Sequence, residues 1–454
     1  MASGAFAILG SNCDGASSRS EPLTQGAVSM HAMKNFRNAR RTSWLAICGA
    51  SFLLLQAPLS AHSSVNTEAS AGRHMQEGKQ GKSSPFDEPS IACGIAQPAK
   101  TGWTGGRFGK RKGLPGGSSK TKLAVNDGLR WLKEHQDEDG RWDADQFMNH
   151  DPESDRCDGL GRANHDLGTT ALALLAFLGD GCTTREGKYK TEVLRGLKWL
   201  RVQQDFEMGR FGAADNTRLL HDHALATLVM CEAFQFSYNP ILAASAQKSL
   251  DFLIASRNTD GAWSASGQPH AETDLSTSHW ALFALKTGYK SGLKVDLAIL
   301  ADVGEWLEKN SVAGLGLATA TATTDSKEAM AALALLHRRM LSNPPATLDE
   351  KDQLVTFLLG TLPTSHGDQS PEKDLVYWYN GSYAMFQVGG EAWDEWNRAM
   401  KSALLTSQRS EGSAKGSWNP RGSRSETEGR VYATAMGVLC MEVHYRYARI
   451  PEPK

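Results

Sequence analysis

The chain has 454 residues, of which 40% are hydrophobic and 22% charged, and its formal net charge is −1. This length accommodates two or three average domains or one large helical domain. The balanced charge supplies no strongly basic face, so the composition predicts no nucleic-acid partner.

The N-terminal part has the pattern of a secretory signal. A basic stretch at 34–41 precedes an apolar run at 44–55, and small residues follow near Ala61. This order is typical of an export signal, and the apolar run is short for a membrane span. We therefore expect residues 1–61 to be an N-terminal extension and signal, and the protein to be exported to the periplasm or the cell exterior. A membrane tether formed by residues 43–59 is the alternative.

The next segment, residues 62–122, is rich in Gly, Ser and Lys and shows no apolar period. Such a composition buries too little apolar surface to fold, so we expect a flexible, basic, disordered linker.

Seven cysteines occur in the chain, and removal of a signal would leave five, an odd number without a dense disulfide framework. Cys231 and Cys440 lie in apolar helical runs and are expected to be buried thiols. Cys157 and Cys182 fall in predicted loops, where they could pair in an oxidising compartment.

From about Val125 onward the chain repeats one pattern. In its first copy an amphipathic helix is followed by Gln136, Gly140 and Trp142. Related stretches recur at 196–211, 249–263, 303–316, 353–363 and 403–418. We interpret the motif as structural. Gly140 would end the helix in a left-handed conformation, Trp142 would cover apolar side chains between hairpins, and Gln136 would bond backbone groups at the turn.

A second, more apolar helix follows each copy and begins near an acidic residue. These residues recur at intervals of 49 to 56 and are Asp166, Asp222, Asp274, Asp325, Asp374 and Glu428. Helices that are apolar on nearly all faces are expected to be buried. The first helix of each hairpin is apolar on one face only, which is typical of a helix with one face towards solvent. The sequence therefore predicts an all-α domain over 123–450, in which six hairpins form a closed α/α toroid. An open solenoid is the alternative, but it needs polar caps, and the last unit is as apolar as the others.

These repeats resemble the prenyltransferase and squalene-oxidase repeat, whose signature is the Gln-to-Trp (QW) motif seen at Gln136, Gly140 and Trp142. The resemblance covers roughly residues 123–450. The stretches "EGRVYATA" and "MEVHYRY" look most like exported bacterial proteins that carry such repeats. The resemblance implies the toroid of the terpenoid cyclases and protein prenyltransferases, a fold that does not settle function.

The chemistry of the known relatives has no clear counterpart in this chain. The Asp-x-Asp-Asp acid of squalene–hopene-type cyclases, the Asp-rich metal site of class I terpene synthases and the thioester motif Cys-Gly-Glu-Gln are absent. Asp155 with Cys157, and Asp180 with Cys182, imitate the Asp-x-Cys part of the prenyltransferase zinc site, but neither pair begins a second helix. We therefore predict no metal and no other cofactor.

Two functions stay open for such a toroid. The first is binding of a hydrophobic or polymeric ligand (lipid, glycan or peptide) in the central cavity without the usual cyclase or zinc chemistry. The alternative is a divergent terpene cyclase-type enzyme that acts on an isoprenoid with an inner-ring carboxylate as acid. The sequence leaves open whether the protein is an enzyme.

In a two-ring toroid the N-terminal ends of the inner helices converge, and their dipoles favour anions there. We predict that a ligand lies at this end and touches His221, Asp222, His223, Trp280, Tyr379, Tyr383 and Arg430. Arg430 would be the main cation facing several carboxylates.

Structural roles compete with this assignment. Asp166 and Asp274 are each expected to cap a helix N-terminus. Residues 221–223 would more commonly be solvated loop residues, although a paired His and carboxylate could perform acid–base work. Tyr379 and Tyr383 share a helical face, so one of them should face the cavity.

Overall fold

The computed structural model describes residues 118–268, 271–311, 326–341, 352–364 and 374–450. The predicted signal and nearly all of the predicted linker lie outside these ranges. Among the described residues, no helix is long and apolar enough to cross a membrane. The first helix begins at Ser119, inside the range assigned to the linker, where the Ser118 hydroxyl caps it by accepting the Thr121 amide.

Twelve α-helices alternate along the described chain between an outer and an inner ring. The outer helices are α1 (Ser119–Glu134), α3 (Lys190–Val202), α5 (Pro240–Ala255), α7 (Leu297–Ser311), α9 (Gln353–Gly360) and α11 (Gly390–Ser407). The inner helices are α2 (Asp166–Gly179), α4 (Leu219–Ser237), α6 (Leu275–Lys290), α8 (Lys327–Leu341), α10 (Leu375–Val388) and α12 (Ser423–Arg446). Within the described ranges the β-structure is limited to isolated bridges, so the all-α prediction is confirmed.

The two kinds of helix differ in burial as their sequences predict. In α2 every residue from Leu167 to Gly179 is buried, because neighbours pack on all sides. In α1 the buried Val125, Leu129 and Leu132 follow the spacing of one helical face, and the opposite face is polar.

The last hairpin packs against the first, which closes the ring. Helix α12 contacts both α1 and α2, and α11 contacts α1. The closed toroid of six hairpins is therefore confirmed, and the open solenoid is wrong.

Gln–Gly–Trp turns link neighbouring hairpins. The Gln136 side-chain amide donates to the carbonyl oxygens of Gly140, at 2.8 Å, and of Glu192 in α3, at 3.0 Å. The indole of Trp142 donates to the Leu132 carbonyl at 2.6 Å and is fully buried. The predicted roles of Gln136 and Trp142 are confirmed.

The last copy of the motif makes the closing contact. Gln408 donates to the carbonyl oxygens of Gly416 and of Ala124 in α1, each at 2.8 Å. The sixth turn thus forms a hydrogen bond with the first outer helix, in the same way as the first turn forms one with the second outer helix.

Gly140 plays a different part from the one predicted. Helix α1 ends at Glu134, so Gly140 does not terminate it. Gly140 has a φ of +106° within the turn, and a Cβ there would lie 2.4 Å from the Arg195 carbonyl oxygen. The glycine is required by its backbone conformation and by the close approach of α3.

The C-terminal segment 447–450 closes the end of the inner ring towards which the inner helices run. Arg446 makes a two-pronged contact with Glu232 of α4, at 2.8 Å to each carboxylate oxygen. Beyond it, Gln387 of α10 bonds Ala448 and Ile450, and Arg339 of α8 donates to Ile450 at 2.6 Å.

The four cysteines of the described ranges are free and buried. The expectation for Cys231 and Cys440 is confirmed. Cys157 and Cys182 do not pair, because each is packed separately. Cys182 lies against Gly187, and Cys157 lies beside Asp151.

Replacement of Gly140 tests the turn. Gly140→Ala should lower the free energy of unfolding by about 2 kcal/mol or more, since a left-handed conformation and a steric clash add. Urea denaturation measures the loss. The matched control is Gly360→Ala, where a Cβ would meet nothing within 4 Å, and stability should hardly change. Equal stability of the two variants would contradict the assigned role.

Candidate functional site

A cleft of about 420 Å³ lies at the N-terminal end of the inner ring. We call it the N-terminal cleft. Its lining comes from the starts of α4 and α12, the residues before α2 and the turn before α6: Arg162, His165, Thr217, Arg218, His221, Ser264, Ala265, Ser266, Ala271, Glu272, Thr273, Asp274, Arg424 and Thr427. The predicted end of the toroid therefore carries a cavity lined mostly by polar and charged residues.

A break in α12 places a carboxylate beside this cleft. Gly429 has a φ of +90°, and a Cβ there would lie 2.5 Å from the Gly161 nitrogen. The Arg430 amide donates to the Gly159 carbonyl at 2.7 Å. The helix is interrupted immediately after Glu428, whose side chain contacts cleft residues.

Glu428 is held between a cation and an imidazole. Arg218 forms an ion pair with one carboxylate oxygen, and His165 Nδ1 lies 3.0 Å from the other. Burial opposes ionisation of Glu428, but Arg218 and then His165 outweigh it and hold the pKa at about 2. Glu428 is therefore a fixed anion at neutral pH.

The contacts of His221 fix which of its ring nitrogens carries the proton. Arg218 Nη2 lies 3.0 Å from His221 Nδ1. A guanidinium can only donate, so this shorter contact makes Nδ1 the acceptor and places the proton on Nε2; the Asp222 carboxylate, which favours the other tautomer, lies farther from Nδ1, at 3.4 Å. Burial, and then the charge of Arg218, lower the pKa of His221 and keep the ring neutral. Its buried Nε2 has no hydrogen-bond partner within the described part of the chain.

His165 presents an acceptor to the cleft, whereas His221 presents a donor. The Glu428 carboxylate lies 3.0 Å from Nδ1 without hydrogen-bond geometry, and its negative charge favours a proton on that nitrogen, which leaves Nε2 as an acceptor. The two imidazoles of the cleft thus offer one donor and one acceptor.

The expected capping roles differ between two aspartates. Asp274 caps α6 by accepting the Thr277 amide at 2.6 Å, as predicted. Asp166 is instead the first residue of α2, and its carboxylate accepts the Ala144 amide at 2.9 Å. Burial raises the pKa of Asp166 to about 6, although the Ala144 hydrogen bond opposes the shift.

Residues 221–223 are buried in the first turn of α4, so the solvated-loop expectation is wrong. Arg218 lies 3.4 Å from Asp222 and offsets the burial of that carboxylate. His223 lies between the two rings, where it accepts the Phe211 amide at 3.1 Å and contacts the Ser249 carbonyl at 3.0 Å.

Arg430 does not hold the position expected of it. It pairs with the Asp158 side chain and donates to Ser417 Oγ at 2.9 Å. The cation that contacts both Glu428 and Asp222 is Arg218, which sequence reasoning missed. Arg218 precedes Asp222 by four residues, and this spacing could have indicated their contact.

The predicted aromatic residues meet around Tyr447, which the sequence reasoning did not include. Tyr379 stacks on Trp280, with ring centroids 5.8 Å apart, and its hydroxyl lies 2.5 Å from that of Tyr447. Tyr383 stacks on Tyr447 at 3.9 Å. His221 thus lines the cleft, Asp222 lies buried behind it against Arg218, and the aromatic residues form a separate cluster. Ligand binding by these residues stays a prediction.

No family model matches the chain, and no curated protein matches it by sequence. Among solved structures, an inactive variant of the α-1,6-mannanase of Salegentibacter sp. HEL1_6, in complex with α-1,6-mannotriose, is similar with a TM-score of 0.51 at 10% identity. That match covers 72% of this chain and 99% of the mannanase. The type II terpene cyclase MstE from Scytonema has a TM-score of 0.44 at 12% identity, over 72% and 98% of the two chains. At this identity the mannanase match shows the α/α toroid fold.

The ion pair at Glu428 predicts a pH dependence. Its folded-state pKa lies below the ordinary value of 4.5, so its stabilising contribution is present above pH 4.5 and is lost as pH falls towards 2. Glu428→Gln should remove this contribution and lower stability at pH 7 by about 3 kcal/mol, because Arg218 stays buried with only the more distant Asp222 as a partner. Urea denaturation from pH 7 to pH 3 measures both effects.

The exposed Glu411, changed to Gln, is the matched control and should behave as wild type. A Glu428→Gln variant whose stability falls with pH as steeply as that of wild type would exclude the ion pair as a stabilising contact.

Proposed function

We propose that the protein binds a hydroxyl-rich ligand, a glycan segment, in the N-terminal cleft. The observation that carries this proposal is the pair of imidazoles with opposite polarity, His165 as acceptor and His221 as donor. A sugar hydroxyl donates and accepts at once, so it satisfies both rings. It also supplies the acceptor that the buried Nε2 of His221 lacks.

The cleft suits a glycan better than a lipid chain. Its volume lies within the range of small-ligand sites, but its lining contains three arginines and two histidines. An acyl or isoprenoid chain would desolvate these groups without replacing their hydrogen bonds. The toroid fold can accommodate a glycan, as the mannotriose complex of the mannanase illustrates.

We also infer kinship with the prenyltransferase and squalene-oxidase repeat proteins, supported by the Gln–Gly–Trp turns. The signal-like pattern at 1–61 supports export, with residues 43–59 as the segment for a membrane tether.

An enzymatic function is the second candidate, and Asp166 favours it. A divergent terpene cyclase would need a protonated inner-ring carboxylate, and Glu428 is too acidic for that role. Asp166, with its pKa raised to about 6, could give up a proton near neutral pH. Native mass spectrometry of protein from its own host separates the candidates. A bound isoprenoid would favour the cyclase, and a bound oligosaccharide would favour the glycan-binding protein.

The two imidazoles give the direct test of glycan binding. His165→Ala and His221→Ala should each weaken binding of a neutral oligosaccharide by about tenfold or more, since each loses a hydrogen bond in a buried site. Isothermal titration against a panel of neutral oligosaccharides measures the affinities. His150→Ala, which changes an exposed imidazole outside the cleft, should bind as wild type.

Two further variants locate the site. Tyr379→Ala changes the aromatic cluster and Arg430→Ala the contact with Asp158, so neither should affect a ligand confined to the cleft. Loss of binding in these two variants, with normal binding in the histidine variants, would place the ligand elsewhere and refute the cleft.

A further inference from the structure

Three side chains with metal-binding atoms meet beside the first hairpin turn. They are His135, directly after α1, Asp151, after the short 3₁₀ turn Phe147–His150, and Cys157. Their ligand atoms all lie within 4.8 Å of one another. The His135 and Asp151 side chains are only 3% and 4% exposed, and the Cys157 residue is buried.

The hydrogen bonds of His135 leave a contact that needs a cation. Nδ1 lies 2.8 Å from the Trp131 carbonyl oxygen, which can only accept, so Nδ1 carries a proton. Nε2 lies 2.9 Å from Asp151 Oδ1. On a neutral ring, the Nε2 lone pair would face a carboxylate oxygen. Either a second proton or a metal ion must lie between them.

The contact between His135 and Asp151 is shielded from water. The ring stacks on the Trp131 indole, with centroids 3.9 Å apart, and Phe147 packs near it. The Cys157 sulfur also faces this contact, so three buried ligand atoms surround one position that a metal ion could occupy.

We propose that His135 Nε2, Asp151 Oδ1 and Cys157 Sγ bind a zinc ion. Imidazole, carboxylate and thiolate are all zinc ligands, and a buried thiolate disfavours magnesium and calcium. A divalent ion with one carboxylate and one thiolate is electrically neutral, which suits a buried site. Three protein ligands leave the fourth tetrahedral position for water.

The surrounding contacts already orient the ligands. The Trp131 carbonyl holds the ring of His135 through Nδ1, as carbonyls commonly do for zinc-bound histidines. Asp151 Oδ2 accepts the Cys157 amide at 2.9 Å, which leaves Oδ1 for the metal. Bonds of about 2.0–2.2 Å place tetrahedral N and O ligands about 3.3 Å apart. The observed 2.9 Å need widen by only a few tenths of an ångström.

Zinc at this site would stabilise the contact between the first and last hairpins. The segment that supplies two ligands also contains Asp155, which accepts the Ser413 amide of the sixth hairpin turn at 2.6 Å. The Trp131 indole donates to the Ser413 carbonyl at 2.9 Å. Metal binding would therefore stabilise both the first turn and its contact with the last.

Binding requires the Cys157 thiol to release its proton to solvent as the sulfur–zinc bond forms. Zinc affinity should therefore fall as the pH is lowered, because protons compete with the metal for the sulfur.

Metal analysis of the purified full chain tests the proposal. Close to one zinc ion per chain is expected by mass spectrometry of the metal content, and cobalt substitution should produce a sulfur-to-cobalt charge-transfer band. Cys157→Ser should abolish that band, and Asp151→Asn should weaken metal binding at least tenfold. Cys231→Ser, which removes a buried thiol elsewhere, should keep both signals.

A wild-type chain that binds neither zinc nor cobalt would overturn the site, as would an unchanged cobalt spectrum in Cys157→Ser. If Cys157→Ser does not fold, the wild-type cobalt spectrum and Asp151→Asn decide the question, because the latter keeps the size of the side chain.

Discussion

The structure depends on one repeated hydrogen-bonding joint. At a hairpin turn a glutamine amide donates to its own turn and to the outer helix that follows, as Gln136 does with Gly140 and Glu192. In the last repeat the following helix is the first one, and Gln408 bonds Ala124. Buried amides that make both of their hydrogen bonds fix direction as well as contact. Gln136, Gln204 and Gln408 make this joint, and the last of them links the final hairpin to the first.

Ring closure determines what the ends of the inner helices can do. It brings Arg218 of one repeat to Glu428 of another, 210 residues away, and so forms the ion pair beside the N-terminal cleft. At the other end, Arg446 and the segment after it bond α4, α8 and α10. The N-terminal end of the ring carries the cleft, whereas residues after Arg446 cover the opposite end.

The fold could be predicted from the sequence because the apolar periodicity indicates which helix faces are buried. The six similar copies of the helical hairpin indicate a closed ring. The site could be predicted only in part. His221 lies on a helix whose start the sequence showed, and it lines the cleft, with the buried Asp222 beside it. Arg430 does not act as expected, because its partner Asp158 lies 272 residues away and no local pattern connects the two. The cluster of His135, Asp151 and Cys157 escaped notice for a similar reason, since loop geometry brings these residues together.

Hydrogen–deuterium exchange on Gln408→Ala tests most directly whether the glutamine joint closes the ring. Faster amide exchange is expected in α1 as well as around residue 408, because Ala124 loses its bond to the sixth turn. Gln204→Ala, which breaks the equivalent joint to Ser245, should affect α5 and leave α1 protected. If α1 keeps its wild-type protection in Gln408→Ala, the ring is closed by packing alone and the account is contradicted.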